Sequence, residues 1–183
     1  MNSLAYAILG ILSRKPMSGY ELGKQLELLW AANLSQIYPI LSKLEKLEIV
    51  EFELVEQVGK PNKKTYYITE KGTDMLKEWI EEAPAEPVIR DEFIIKFYSI
   101  WLANPEIAIH LLHSRKNSYL KKLHHFQKEV TELKNDPNIN HMDMSQPHFS
   151  RYLLLKRKIQ ILQFELDWCE EIVTLFSGLS VNK

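Results

Sequence analysis

The spacing of apolar positions changes character along the chain. Leu4 to Leu12 are apolar nearly all round, which predicts a helix buried on most sides. Pro16 breaks it, and Ser18 with Glu21 stands in the spacing of a capping box at the next helix start. Leu22, Leu26 and Leu29 give that second helix its core stripe. From Leu34 to Leu47 a third helix is written: Ile37, Ile40, Leu41, Leu44 and Leu47 share one face at the 3.6-residue period. Ser35, Pro39, Ser42 and Lys46 fall opposite that face, with Gln36, Tyr38 and Lys43 flanking it. Ser35 is the expected N-cap, which puts Pro39 about four residues in and removes at most one helical bond.

The period then drops to two. Val50, Phe52 and Leu54 alternate with Glu51, Glu53 and Val55, the signature of a half-buried strand. Gly59, Pro61 and Asn62 are turn residues, and the β-branched and aromatic stretch TYYIT predicts a returning strand. Thr69 can cap a fourth helix that includes Met75, Leu76, Trp79 and Ile80. Three helices and a two-stranded hairpin make a winged helix, in which the second and third helices form a helix-turn-helix and the hairpin loop is the wing.

Two prolines in Ala83–Pro87 cannot continue a helix, and they divide the chain. Beyond them the pattern is almost wholly helical. Asn104 and Pro105 suit the N-cap and first position of a long helix. Along it Ile109, Leu112, Lys116, Tyr119, Leu123, Phe126, Val130 and Leu133 recur at alternating spacings of three and four, a coiled-coil seam with one lysine in it. After a polar loop ending at Pro147, a last helix repeats the spacing through Tyr152, Leu155, Ile159, Leu162, Leu166, Cys169, Val173 and Phe176. It carries a second stripe of Leu154, Ile161, Trp168 and Leu175. Either both stripes are filled within the chain, or the second meets a partner, most simply a second copy. The expected architecture is mainly α with a small β-hairpin: a winged helix-turn-helix domain over residues 1–82, then a three-helix, coiled-coil-like dimerisation domain over 88–179.

Composition narrows the function. The 183 residues are 45% hydrophobic and 26% charged, ordinary for a soluble protein. The single cysteine, Cys169, allows no disulfide within the chain and suits a reducing, cytoplasmic setting. No apolar run approaches the ~18 residues that span a bilayer, so no membrane partner is expected. The apolar N-terminus lacks the basic region of a signal peptide. Net charge of −1 argues neither for nor against nucleic acid, so only local patches can decide. Two patches do. The polar face of the third helix offers Ser35, Gln36, Tyr38, Ser42, Lys43 and Lys46, short polar groups and a few cations of the kind a recognition helix brings to base edges and phosphates. Its N-terminus attracts phosphate through free N–H groups. The wing adds Lys60, Lys63 and Lys64, suited to a phosphate backbone or minor groove. A solvated surface, or a winged helix that docks proteins, uses the same features.

Catalytic patterns are missing: no GxGxxG, Walker loop, HExxH or CxxC occurs. Glu106, His110 and His113 share a helix face that could hold a metal, but a solvated surface explains them as well. The reading is a non-enzyme with no cofactor and no metal.

These same residues resemble the PadR family of bacterial transcriptional regulators. Pro16, Gly19, Tyr20 and Glu21 match its first turn; Ile37, Tyr38, Pro39, Leu41 and Leu44 its recognition helix; Tyr66, Tyr67, Thr69 and Gly72 the end of its wing. RDEFIIKFY, from Arg90 to Tyr98, resembles the start of its helical C-terminal domain. The resemblance implies a homodimeric repressor on a palindromic double-stranded operator. It implies phosphate contacts from Tyr20 and Tyr38, and base reading at the start of the third helix. The DNA-facing set is then Ser18, Tyr20, Ser35, Gln36, Tyr38, Pro39, Ser42, Lys43 and Lys46 with the wing lysines. The family often answers to small aromatic or hydrophobic effectors, though some members have none known; Tyr98, Trp101, Phe164 and Trp168 are either candidate pocket residues or core. Two departures stand out: Glu48 replaces a common glycine after the third helix, and the wing carries lysine where arginine is frequent.

Overall fold

A computed structural model describes residues 1–56, 62–88 and 90–180, with side chains to residue 178. The chain forms two compact units, Met1–Ala85 and Glu86–Lys183.

In the first unit α1 (Ser3–Leu12), α2 (Gly19–Leu26), α3 (Leu34–Lys46) and α4 (Glu70–Glu81) surround a small sheet. The sheet has three strands, not the two expected. β2 (Val50–Val55) and β3 (Lys63–Ile68) form the hairpin, and β1 (Met17–Ser18) pairs with the free edge of β3, Met17 opposite Tyr66 and Ser18 opposite Thr65. Two residues are too short to show a period, so the pattern could not reveal β1. The hairpin is also less buried than its alternation implies. Val50 is buried, but Leu54 is 62% exposed, because the strands run out past the core.

The core is built by Ile8 and Leu9 of α1, Leu22 and Leu26 of α2, and Ile37, Leu41 and Leu44 of α3. Leu29 lies outside it, since α2 ends at Leu26 and the N–H groups of Leu29 and Trp30 close a turn onto the Leu26 carbonyl. α3 starts earlier than expected. Asn33, not Ser35, is its N-cap, and the Gln36 side chain accepts from the Asn33 N–H at 3.0 Å.

The corner after α3 replaces Leu47 with Ile49 in the core. Glu48 takes a left-handed φ of 58°. Its N–H donates to the Glu45 carbonyl and that of Ile49 to Leu44, both at 2.9 Å, which is a Schellman closure with Leu44 and Ile49 buried together. α4 fastens this corner. The Thr69 hydroxyl lies 2.9 Å from the Glu48 carbonyl oxygen and accepts from the Gly72 N–H at 3.1 Å. A Cβ on Gly72 would stand 2.3 Å from the Ile49 carbonyl oxygen.

In the second unit α6 (Pro105–Asn135) and α7 (Pro147–Ser180) run side by side, joined by a short loop. Glu129 pairs with Arg151 near the loop, and Lys116 with Glu170 far from it (3.1 Å), so the helices are antiparallel. Leu112, Leu123, Phe126, Val130 and Leu133 meet Leu155, Leu162, Leu166 and Cys169 in the seam. Ala108 rather than Ile109 is buried at its far end, and burial pushes the Cys169 thiol up. Where the pattern showed a lysine, the enclosed cation is Arg115, its side chain 7% exposed. Its guanidinium lies over the rings of Phe93 (4.2 Å) and Tyr119 (4.6 Å) and bridges Asp91 (2.8 Å) and Glu165 (2.7 Å). Asp91 also caps α5 (Glu92–Tyr98) by accepting from the Phe93 N–H; the Arg115 hydrogen bond foremost holds its carboxyl below the usual range.

Most of the second stripe of α7 stays open: Leu154, Ile161 and Leu175 are exposed, whereas Trp168 is half-buried against Phe93 and Phe97 of α5. So are Ile94 and Ile95 of α5. Among the described residues no helix is long and apolar enough to cross a membrane.

Candidate nucleic-acid interface

One open depression of the first unit collects side chains from three elements. The start of α2 supplies Tyr20, α3 supplies Tyr38 and Ser42, and β3 supplies Lys63 and Lys64. These residues are far apart in sequence, and the winged-helix packing brings them onto one surface.

Gly19 shapes that surface. A Cβ there would lie 2.6 Å from Tyr38 Cε1 and 3.2 Å from its hydroxyl oxygen, so only glycine lets the ring rest against the first turn of α2. Tyr38 and Tyr20 are both exposed. Lys24, one turn on from Tyr20, holds its ammonium 4.7 Å from that ring centroid. Lys24 and Asn62 line the depression too and were missed in the sequence reading, although the four-residue step from Tyr20 to Lys24 was a usable signal.

The floor is ionic. One oxygen of Glu21, Oε2, accepts from the Ser18 N–H (2.8 Å) and hydroxyl (2.6 Å) and faces Lys63 Nζ at 2.9 Å. The Ser18 hydroxyl and N–H, and then Lys63, pull the Glu21 carboxyl down to about 2. Ser18, expected to face DNA, lines the depression, but it is 7% exposed and its hydroxyl is committed to Glu21 in the cap. Lys64 stands 3.5 Å from the Phe52 ring centroid and 3.8 Å from Glu45. Lys60 lies outside the described residues.

The rest of α3's polar side is exposed but outside the depression. Ser35, Pro39 and Lys46 point away from the core, with Gln36 and Lys43 along the opposite edge from Tyr38. Gln36 is partly occupied, since its carbonyl oxygen serves the cap while its amide N–H₂ stays available.

The candidate effector residues differ in their surroundings. Tyr98 is 87% exposed, Trp101 78% and Phe164 68%. Trp168 is half-buried, edge-on to Phe93 and Phe97. A shallow depression lies where Phe93, Lys96, Leu111 and Tyr119 surround Arg115. No group of three or more metal-ligating side chains occurs among the described residues.

The chain is similar to known proteins over nearly all its length. Residues 8–78 match the model of the transcriptional regulator PadR-like family, and residues 89–177 match that of the virulence activator alpha C-terminal region. The negative transcriptional regulator PadR of Bacillus subtilis (strain 168) is 31% identical over 180 residues, 96% of this chain and 98% of that one. A crystal structure of Bacillus subtilis PadR in complex with operator DNA superposes with a TM-score of 0.78 at 30% identity, covering 96% of this chain and 98% of that one. The structure of the same regulator in complex with p-coumaric acid gives 0.70 at 29% identity over 96% and 99%. Helix-turn-helix, wing and helical second unit thus agree with a relationship that runs end to end, and the chain belongs to the PadR-like family of transcriptional regulators.

Proposed function

We propose that this regulator is a cytoplasmic repressor that binds a palindromic operator as a homodimer and is released by a small aromatic or hydrophobic molecule. The observation that carries the reading is the convergence of Tyr20, Tyr38, Ser42, Lys63 and Lys64 on one face of the first unit. Phenol and ammonium groups there suit successive phosphates, while the exposed start of α3 suits base edges in the major groove. A relative named as a negative regulator, solved once with operator DNA and once with p-coumaric acid, supports both the repressor role and the class of effector.

The open stripe of α7 and the exposed apolar side of α5 support the homodimer, because apolar side chains this numerous are normally covered. A two-fold axis would set two copies of α3 about one DNA turn apart (~34 Å).

The test is a fluorescence-anisotropy titration of the full chain with a palindrome from its own upstream region and with random duplex, at several salt concentrations. The expected result is preference for the palindrome and binding that weakens steeply with salt. Light scattering should report a dimer, and p-coumaric acid should lower operator affinity. Weak binding with no preference at any salt concentration would favour the protein-docking reading of the winged helix.

A further inference from the structure

A capping box needs only the serine and the carboxylate. Here a third group joins them. Lys63 reaches back from β3 to the carboxylate oxygen that caps α2, at 2.9 Å. That oxygen thereby collects a backbone N–H from a helix start, a hydroxyl and an ammonium. A DNA phosphate oxygen seeks the same donors. It would seek them in the same place, since Glu21, Tyr20, Tyr38 and Lys63 line one depression.

We infer that Glu21 is a built-in competitor for phosphate, which occupies Lys63 in the free protein and thereby sets the sequence-independent part of DNA affinity. This rests on the DNA-binding reading given above. The exposure of the two side chains, 32% and 47%, decides the strength: an ion pair this open is weak enough for phosphate to displace, yet it lowers affinity for every duplex alike. Glu21 makes no choice between bases. It discounts the electrostatic attraction that would otherwise hold the protein on any DNA.

The test is a double-mutant cycle on the full chain, with Glu21→Gln, Lys63→Gln and the pair, read by anisotropy on operator and random duplex across a salt series. Glutamine serves in a capping box as glutamate does, so α2 keeps its start, and a melting curve checks this. Glu21→Gln should raise affinity roughly twofold to fivefold, by the same factor on both duplexes. It should also steepen the slope of log affinity against log salt by about one, as a lysine newly free for phosphate adds a released counterion. Lys63→Gln, which leaves the cap intact, should cost more in the Glu21→Gln background than alone. An unchanged or lower affinity of Glu21→Gln, or an equal cost of Lys63→Gln in both backgrounds, overturns the inference while the DNA-binding reading stands. If the unmodified protein binds no duplex, both fall.

Discussion

Glu48→Gly should stabilise the first unit. Glu48 holds φ at 58°, a conformation that costs a residue with a Cβ roughly 1–2 kcal/mol. The backbone cannot relax away from it cheaply. Its own N–H and that of Ile49 close the end of α3 at 2.9 Å each, and Ile49 is seated in the core with Leu44. Glycine removes the steric cost but gives back about 0.5–1 kcal/mol through its greater freedom in the unfolded chain. The balance is a gain of about 0.5–1 kcal/mol, or about 2–8 °C in the melting of a unit this size. Urea denaturation followed by circular dichroism would read the gain as a shift in midpoint with unchanged slope. Glu48→Ala is the control. It keeps the strained backbone and should stay within about 0.5 kcal/mol of the parent. A stabilised alanine variant, or a glycine variant no more stable than the parent, would refute the backbone origin of the effect.

Other outcomes follow from particular contacts. Tyr38→Phe should weaken binding to operator and random duplex alike, by about 0.5–1.5 kcal/mol for one lost hydrogen bond, and leave the melting curve in place. Gln36→Ala should relax discrimination at one base pair per half-site, measured on single-substitution operators, and also lower stability by about 0.5–1 kcal/mol in the melting curve, since its carbonyl oxygen serves the α3 cap. Gly72→Ala should destabilise by about 1–3 kcal/mol in urea, because the new Cβ meets the Ile49 carbonyl oxygen, which is fixed backbone. The folded Glu21 carboxyl lies at about 2 against 4.5 ordinarily, so its stabilising effect is present above 4.5 and is lost as pH falls toward 2; Glu21→Gln should flatten that part of an acid-unfolding curve.

What could be read from the sequence was whatever the local period carries. The α3 stripe from Ile37 to Leu44, the Thr69 cap and the Ser18–Glu21 box all lie within four residues of their partners, and each is as expected; only Leu47, at the end of the stripe, gives up its place to Ile49. The start of α3 was misplaced because Asn33 and Ser35 are both good capping residues. The choice is made by Gln36, which reaches back three positions to Asn33. Arg115 was invisible for another reason. Its neighbour Lys116 fits the seam spacing, while Asp91 and Glu165, which make burial of Arg115 tolerable, come from α5's cap and from α7. The Lys63–Glu21 pair likewise depends on the hairpin returning beside α2. Residue types on the candidate interface were legible; which of them are free and which already paired is a tertiary fact.

Gly19 and Gly72 were matched as parts of one family pattern, yet selection would keep them for different reasons. A larger residue at 72 meets a carbonyl oxygen that cannot move, so the penalty falls on folding and on the amount of protein a cell retains. A larger residue at 19 meets the ring of Tyr38, which is exposed and can swing aside. Such a chain would fold, persist and carry its tyrosine in the wrong place. Position 19 can therefore drift only in a lineage that no longer relies on Tyr38, and the two positions are inherited as a single choice.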